Sequence, residues 1–146
     1  MKKILAIAII LSFSFSFKAQ NKHTLTIKIN NFKKFEGQIG LGLYNTKNQF
    51  TDNPWKSYTK SKSEIKDGTL TIVISDIPTG KYVISFLDDL NGNDKMDYAF
   101  LGYPKEGFGF SNNAEPGFMS PPTYEECLFE IKENKQINLK VQYWYN

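Results

Sequence analysis

The stretch DDLNGNDKMDYAFLGYPKEGFGFSNNAEPGFMSPPTYEE, residues 88–126, interrupts a chain that otherwise alternates between apolar and polar residues. It is rich in Asp, Asn, Gly, Pro and aromatic residues, which favour turns and irregular backbone. The regular segments on either side of it therefore predict the fold. The stretch itself predicts one long loop region, 88–126, that leaves one strand and returns to another.

Outside that stretch, the alternation has the period of half-buried strands. Leu25, Ile27 and Ile29 share one face of the first predicted strand, and polar residues occupy the other face. The predicted strands lie near residues 24–30, 37–44, 58–65, 69–74, 81–87, 127–131 and 137–143. The segment 81–87 is apolar on both faces, which is typical of a central strand. The pattern predicts an all-β protein with a single antiparallel β-sandwich, immunoglobulin-like or transthyretin-like, of about seven strands.

Residues 1–19 have the composition of a secretory signal peptide. Lys2 and Lys3 precede the apolar run 4–11, and Ala19 offers a small residue for cleavage. The alternative is an uncleaved anchor, although the run is shorter than the ~20 apolar residues that span a bilayer. We therefore expect an exported protein, periplasmic or extracellular, with its β-sandwich domain at 20–146 and no integral membrane segment after cleavage.

Cleavage would also change the charge of the chain. The full sequence carries 18 basic and 15 acidic residues, a net charge of +3, and residues 1–19 hold three of the lysines and no acid. The mature chain would therefore be neutral, and it would lack the basic face that binds nucleic acid. All the basic residues are lysine, so no guanidinium group is available to clamp a phosphate.

Candidate catalytic residues are few. His23 is the one histidine and Cys127 the one cysteine, so a triad would depend on His23, and no intrachain disulfide can form. We expect Cys127 to be buried; an intermolecular disulfide is the alternative. Two Ser-x-x-Lys matches, at Ser57 and Ser63, lie in a lysine-rich segment and match a nucleophile motif only in spacing. The sequence predicts no enzyme, with a small hydrolase as the weakest alternative.

The first part of the long loop has the spacing of a calcium loop. Asp89, Asn91, Asn93 and Asp97 stand at positions 1, 3, 5 and 9, and a backbone carbonyl near Lys95 would add another oxygen ligand. Calcium takes six to eight such oxygens. Ca²⁺ is thus the cofactor that the sequence suggests.

Two positions depart from that pattern. Asp94 stands where such loops have Gly, and Phe100 stands where a bidentate Glu would close the site. Asp88, Glu106 or Glu115 would have to replace that Glu. The alternative is a solvated turn, because Asn-Gly favours a hairpin and Asx side chains cap their own backbone.

The second part of the long loop, residues 98–118, is rich in aromatic residues and glycine. Planar rings beside amide and carboxylate groups suit recognition of a sugar or a peptide. The candidate ligand-binding residues are Tyr103, Glu106, Phe108, Phe110, Asn112 and Asn113. The alternative, which we favour, is that the rings fold back and close one end of the sandwich, because long loops are either packed or functional.

Three segments, IPTGKYVISFLDDLNGNDKMD, LGYPKEGFGFSNNA and PPTYEECLFEI, resemble the exported bacterial family called domain of unknown function 2141. The Gly-Phe-Ser-Asn-Asn motif makes the resemblance specific, and Asp94 is the departure from the family pattern, which has glycine there. The resemblance implies export and a sandwich akin to transthyretin-like or carboxypeptidase-regulatory-like modules. It implies no enzyme, because the family has no established activity.

These observations predict an exported, non-catalytic β-sandwich of unknown specific role, with calcium stabilisation of the 88–97 loop as a finer hypothesis. The alternative is a carbohydrate- or peptide-binding module that uses the aromatic loop at 98–118. Its partner would be a cell-surface glycan or a protein, and we expect the protein itself to be a monomer.

Overall fold

The computed structural model describes residues 21–118 and 120–144, and strands dominate that part of the chain. The strands are β1 (Lys22–Asn30), β2 (Gln38–Tyr44), β3 (Lys56–Ser61), β4 (Leu70–Pro78), β5 (Gly80–Asp89), β6 (Gly107–Phe110), β7 (Phe129–Ile131) and β8 (Lys135–Lys140). The all-β prediction is confirmed. The predicted signal peptide, residues 1–19, lies outside the described residues.

The strand that the sequence did not predict is β6, which lies inside the segment assigned to the long loop. Its sequence is Gly-Phe-Gly-Phe, and alternating glycines conceal a strand because glycine has low β propensity. The backbone nevertheless pairs with β5, with Phe108 opposite Leu87 and Phe110 opposite Ser85. The loop region is therefore two loops separated by an edge strand.

The strands form two sheets that pack as a sandwich. The smaller sheet has the order β4-β1-β8, and the larger has the order β3-β2-β5-β6, with β7 also paired to β5. All these pairs are antiparallel except β1 with β8, which is parallel. The chain then crosses from β8 to β6, where Phe108 and Gln142 exchange two backbone hydrogen bonds.

The core between the sheets follows the predicted alternation. Ile27 lies opposite Ile72, and Leu41 lies opposite Phe86, with all four side chains buried. Full burial of such a side chain contributes about 1.5–3 kcal/mol relative to exposure. These contacts hold β5 between β2 on one side and both β6 and β7 on the other.

The single α-helical turn of the described region, α1 (Tyr124–Cys127), follows the prolines at 121 and 122. Thr123 caps it: the Thr123 side chain accepts from the Glu126 N–H, and the Glu126 carboxylate accepts from the Thr123 N–H. No helix in the described residues is long and apolar enough to cross a membrane.

Candidate functional site: an acidic loop and an aromatic groove

Asp89, the last residue of β5, organises the acidic loop, which we define as residues 88–97. Its carboxylate is buried and accepts the backbone N–H groups of Gly92, Asn93 and Asp94 at 2.8, 3.2 and 3.0 Å. The Gln38 side-chain amide donates to it at 2.9 Å. Burial opposes ionisation, but these hydrogen bonds outweigh it and lower the pKa of Asp89. The first residue of the predicted metal set is therefore the anchor of the turn.

A second buried carboxylate, Glu106, fixes both ends of the acidic loop. One of its oxygens accepts the N–H of Leu90 at 2.9 Å, and the other accepts the N–H of Asp97 at 3.1 Å. Glu106 is 4% exposed. This candidate ligand-binding residue thus lies beneath the loop with both oxygens occupied.

The remaining metal candidates lie on the exposed side of the loop. The side-chain nitrogens of Asn91 and Asn93 donate to the two carboxylate oxygens of Asp97, at 2.7 and 3.4 Å. The amide oxygens of the same two residues accept the N–H groups of Asn93 and Lys95, at 3.1 and 2.8 Å. Both amides therefore face the Asp97 carboxylate with nitrogen rather than oxygen.

The backbone of the loop suits a cation better than its side chains do. Asp94 has a φ of 59°, the left-handed conformation of the glycine it replaces. No three acidic, His or Cys side chains converge on one point among the described residues. Calcium would require the oxygens of Asn91 and Asn93 to turn toward Asp97, and that turn would break the hydrogen bonds that these oxygens accept from the N–H groups of Asn93 and Lys95. Asp88 cannot close the site, because it is buried in an ion pair with Lys62.

Asn112 and Asn113 hold chain segments together. Both have left-handed backbone, with φ of 61° and 52°. The Asn112 amide donates to the carbonyls of Glu126 and Leu128, at 2.9 and 3.0 Å, and the Asn113 side-chain oxygen accepts the N–H of Lys140 at 2.8 Å. These two candidate ligand-binding residues therefore connect segments of the fold by hydrogen bonds.

Ser111 joins the middle of β5 to the last residue of α1. Its hydroxyl accepts the N–H of Ile84 at 2.9 Å and donates to the carbonyl of Cys127 at 2.5 Å. The Phe-Ser-Asn-Asn motif that carries the family resemblance is therefore explained by hydrogen bonds within the fold.

The rings of Phe108 and Phe110 are packed, but they lie on β6 rather than closing one end of the sandwich. They are 8% and 9% exposed and form a second apolar cluster, on the outer face of the larger sheet, with Tyr44, Val83 and Cys127. Cys127 is buried as predicted, and desolvation raises the pKa of its thiol to about 11. This thiol is therefore a packing group and a poor nucleophile.

An apolar groove with a volume of ≈ 450 Å³ opens beside these two rings. One wall is a hairpin in which Tyr98 pairs with Pro104, and the other is a turn in which Gly117 pairs with Ser120. We call this space the aromatic groove; it is lined by Met96, Tyr98, Tyr103, Pro104, Pro116, Pro121 and Trp144. The rings of Tyr103 and Trp144 are stacked, with centroids 5.5 Å apart and planes at 27°.

The two walls of the groove carry exposed apolar side chains at their turns. Phe100 is fully exposed, Phe118 is 80% exposed and Leu101 is 67% exposed, while Tyr98 on the groove wall is 58% exposed. Phe100 and Leu101 lie between the lining residues Tyr98 and Gly102, and Phe118 lies between Pro116 and Ser120, so we call these three residues the rim of the groove. Exposed large apolar side chains near one concavity typically mark an interaction site. Isolated exposed apolar residues, such as Val73 on β4, need no such explanation.

A second groove continues from the first across the outer face of the larger sheet. It has a volume of ≈ 570 Å³ and shares Thr51, Met96 and the two packed rings with the aromatic groove. Gly40 and Gly42 line this second groove, and a side chain at Gly40 would meet open space. A ligand in the aromatic groove could therefore extend over a flat, glycine-lined surface.

Sequence reasoning missed Trp144, which lines the aromatic groove and stacks on the predicted Tyr103. The only signal is the aromatic run Tyr-Trp-Tyr at 143–145, of which the predicted last strand, 137–143, includes Tyr143 alone. Nothing in the sequence indicates that a residue after β8 crosses to the 98–104 hairpin. That crossing depends on the pairing of Gln142 with Phe108.

The catalytic candidates do not assemble. His23 bonds the Thr79 hydroxyl at 2.8 Å on an exposed surface. Lys60 pairs with Glu64 at 2.5 Å, and Ser57, three residues earlier on the same strand, points to the opposite face. None of these candidates forms a pair of nucleophile and base.

A family model described as "Uncharacterized protein conserved in bacteria (DUF2141)" matches residues 27–138. No curated protein and no solved structure matches the chain. The matched region begins in β1, ends in β8 and contains the acidic loop and both walls of the aromatic groove. It covers more than half of the 146 residues, so the chain belongs to this family of conserved bacterial proteins, DUF2141.

Proposed function

We propose that this protein is an exported, non-catalytic binding module whose aromatic groove holds an extended, proline-rich or aromatic segment of a partner protein. The observation that supports this function is the exposure of Phe100, Leu101 and Phe118 in turns whose flanking residues line a concave, aromatic groove. Export is supported by the composition of residues 1–19.

The chemistry of the lining favours an extended chain. Extended proline-rich segments dock into grooves lined by aromatic rings, because their backbone is already ordered before binding. Here Tyr98 and the stacked pair of Tyr103 and Trp144 offer flat ring faces. The stacked pair is held in place before the ligand arrives, so less side-chain entropy is lost on binding.

A peptide fits this lining better than a sugar does. Sugar hydroxyls need polar partners, and buried hydroxyls without partners are costly. The rim residues Phe100, Leu101 and Phe118 have no side-chain hydrogen-bonding group. Among the described residues, the polar side chains that line the groove are Thr51, Asp52 and Ser120, together with the hydroxyls of Tyr98 and Tyr103 and the indole N–H of Trp144, and an extended proline-rich chain needs few such partners. Glycan binding is therefore the alternative outcome of the test.

We also propose that Ca²⁺ stabilises the acidic loop. The support is the backbone: Asp89 already gathers three consecutive N–H groups, and Asp94 already adopts the left-handed conformation that such a loop requires. Asp97 would supply a carboxylate ligand, and Asn91 and Asn93 would supply amide oxygens after rotation, in exchange for the hydrogen bonds that these oxygens accept from the N–H groups of Asn93 and Lys95. This role is structural, because it would hold the segment that leads into the hairpin at 98–104.

Titration of the full mature chain with short acetylated proline-rich peptides tests the binding function, with the indole N–H signals of the protein followed by NMR. We expect the Trp144 signal to shift. We expect Tyr98→Ala to weaken binding by roughly tenfold, the effect of removing about 1.4 kcal/mol from a binding hot spot. Val73→Ala is the matched control, because Val73 is also 58% exposed but lies on β4.

A shift of Trp144 with chito-oligosaccharides and not with peptides would replace the peptide proposal with the glycan alternative. Equal losses in the Tyr98 and Val73 variants would contradict a site in the aromatic groove.

A further inference from the structure

Lys62 and Asp88 form an ion pair that is sealed from solvent. Lys62 lies in the 3₁₀ turn after β3, and Asp88 lies near the end of β5. The Lys62 ammonium nitrogen is 2.5 Å from one carboxylate oxygen of Asp88, and both side chains have zero exposure. The Tyr143 hydroxyl donates to the other carboxylate oxygen at 2.9 Å. The Phe32 ring covers the ammonium at 5.5 Å.

This environment favours a reaction between the two groups. Holding two charges out of water is costly, and forming an amide from them removes both charges. The fold keeps the nitrogen and the carboxyl group in contact, which makes the reaction intramolecular and raises the effective concentration of the reactants. The water that is released leaves a site that solvent does not reach, so hydrolysis of the product is disfavoured.

We propose that Lys62 and Asp88 are joined by a covalent isopeptide bond that forms in the folded chain with loss of one water molecule. The ammonium first gives a proton to the nearer oxygen of Asp88. The resulting amine attacks the carboxyl carbon, Tyr143 protonates the farther oxygen, and the nitrogen returns a second proton to Tyr143. The nearer oxygen then takes the proton from the farther one and leaves as water, so the ion pair becomes an amide and Tyr143 is regenerated.

Tyr143 is placed to act as the proton carrier in this reaction. Burial raises the pKa of its hydroxyl, so the group is protonated and able to donate. The backbone N–H of Lys33 donates to the Tyr143 oxygen at 2.9 Å, where it would stabilise negative charge during the transfer.

The bond would brace the chain where it is otherwise held only by noncovalent contacts. Cys127 is the one cysteine of the sequence, so no intrachain disulfide can serve this purpose. An amide between residues 62 and 88 would tie the end of β3 to the end of β5, across β2. It would also fix the residue directly before Asp89, which anchors the acidic loop.

Mass spectrometry of the full chain purified from a bacterial host tests the proposal. The N-terminus of the purified protein is first determined by sequencing, and the mass expected from the sequence is calculated from that residue. Under denaturing conditions, we expect the measured mass to be lower than this calculated mass by one water molecule. A succinimide at Asp67-Gly68 would give the same deficit, so the peptide map decides. We expect trypsin to cleave after Lys60 and to fail after Lys62, and a linked peptide to contain Lys62 and Asp88.

The chain supplies a matched control in Lys60 and Glu64. This pair has the same 2.5 Å separation, but its side chains are 33% and 53% exposed, so it should stay uncrosslinked. Lys62→Met should restore the full mass, and Tyr143→Phe should leave part of the protein uncrosslinked. If a variant does not fold, the wild-type map alone decides. Full mass with cleavage after both lysines, or a deficit located at Asp67-Gly68, would overturn the proposal.

Discussion

The acidic loop and both walls of the aromatic groove come from one irregular stretch of sequence, yet they differ in whether their side chains make contacts within the fold. In the acidic loop and directly beneath it, hydrogen bonds within the chain occupy both oxygens of Asp89 and of Glu106. Beside the groove, Phe100, Leu101 and Phe118 remain exposed to solvent. The difference separates groups that hold the fold from groups that are available to a ligand.

This comparison changes the interpretation of the most distinctive residues. Asn112 and Asn113 are conspicuous in the sequence but donate and accept within the fold. Phe118 and Leu101 are inconspicuous, and their side chains are free of the core. A residue pattern that is unusual for a strand can thus identify residues that stabilise the fold by internal hydrogen bonds rather than residues that form a binding surface.

The largest expected effect separates packed rings from exposed rings. Phe110→Ala should lower the free energy of unfolding by about 3 kcal/mol, because it removes a buried ring and leaves a cavity beside Phe50. Phe118→Ala should change it by less than about 0.5 kcal/mol. Urea unfolding followed by circular dichroism measures both. Similar losses in the two variants would remove the distinction between the packed cluster and the rim.

A smaller effect tests whether the acidic loop is held from within. Asp89→Ala should lower the free energy of unfolding by about 2 kcal/mol, because it leaves backbone N–H groups of Gly92, Asn93 and Asp94 without their acceptor. Asp52→Ala is the control, since Asp52 is exposed. Thermal or urea unfolding checks the pair of variants. An Asp89 variant as stable as the control would show that the loop does not depend on this anchor.

The smallest effect concerns calcium, which would bind to a loop that is already stabilised by hydrogen bonds within the chain. At a free concentration of about ten times its dissociation constant, calcium should stabilise the protein by about 1.4 kcal/mol, and a chelator should reverse the gain. A calcium-titrated thermal melt measures it, and Asp97→Ala should abolish the gain without disturbing the Asp89 anchor. An unchanged melting temperature at millimolar calcium would exclude the stabilisation.

Most of the sandwich was predictable because period-two alternation reports which face of a strand is buried. Leu25, Ile27 and Ile29 were assigned to one face and are all buried. The strand β6 was not predictable, because its two glycines carry no such signal and its pairing comes from the edge of β5. The parallel pairing of β8 with β1 was also beyond the sequence, since it depends on how distant segments meet.

The candidate site was predictable as a location but not as a set of roles. The sequence identified Tyr103 and the packed rings, and the aromatic groove lies beside them. It could not show that Glu106 would point beneath the acidic loop, or that Trp144 would stack on Tyr103. Lys60 and Lys62 also look alike in the sequence, yet only the second is fully buried.

The sequence by itself determined the all-β class, the family, the position of the irregular stretch and the burial of Cys127, because local alternation and composition carry that information. The tertiary structure alone decided which polar groups are satisfied, which rings are exposed and which lysine meets Asp88. Each of these depends on contacts between residues far apart in the chain, and no local pattern encodes the distance between them.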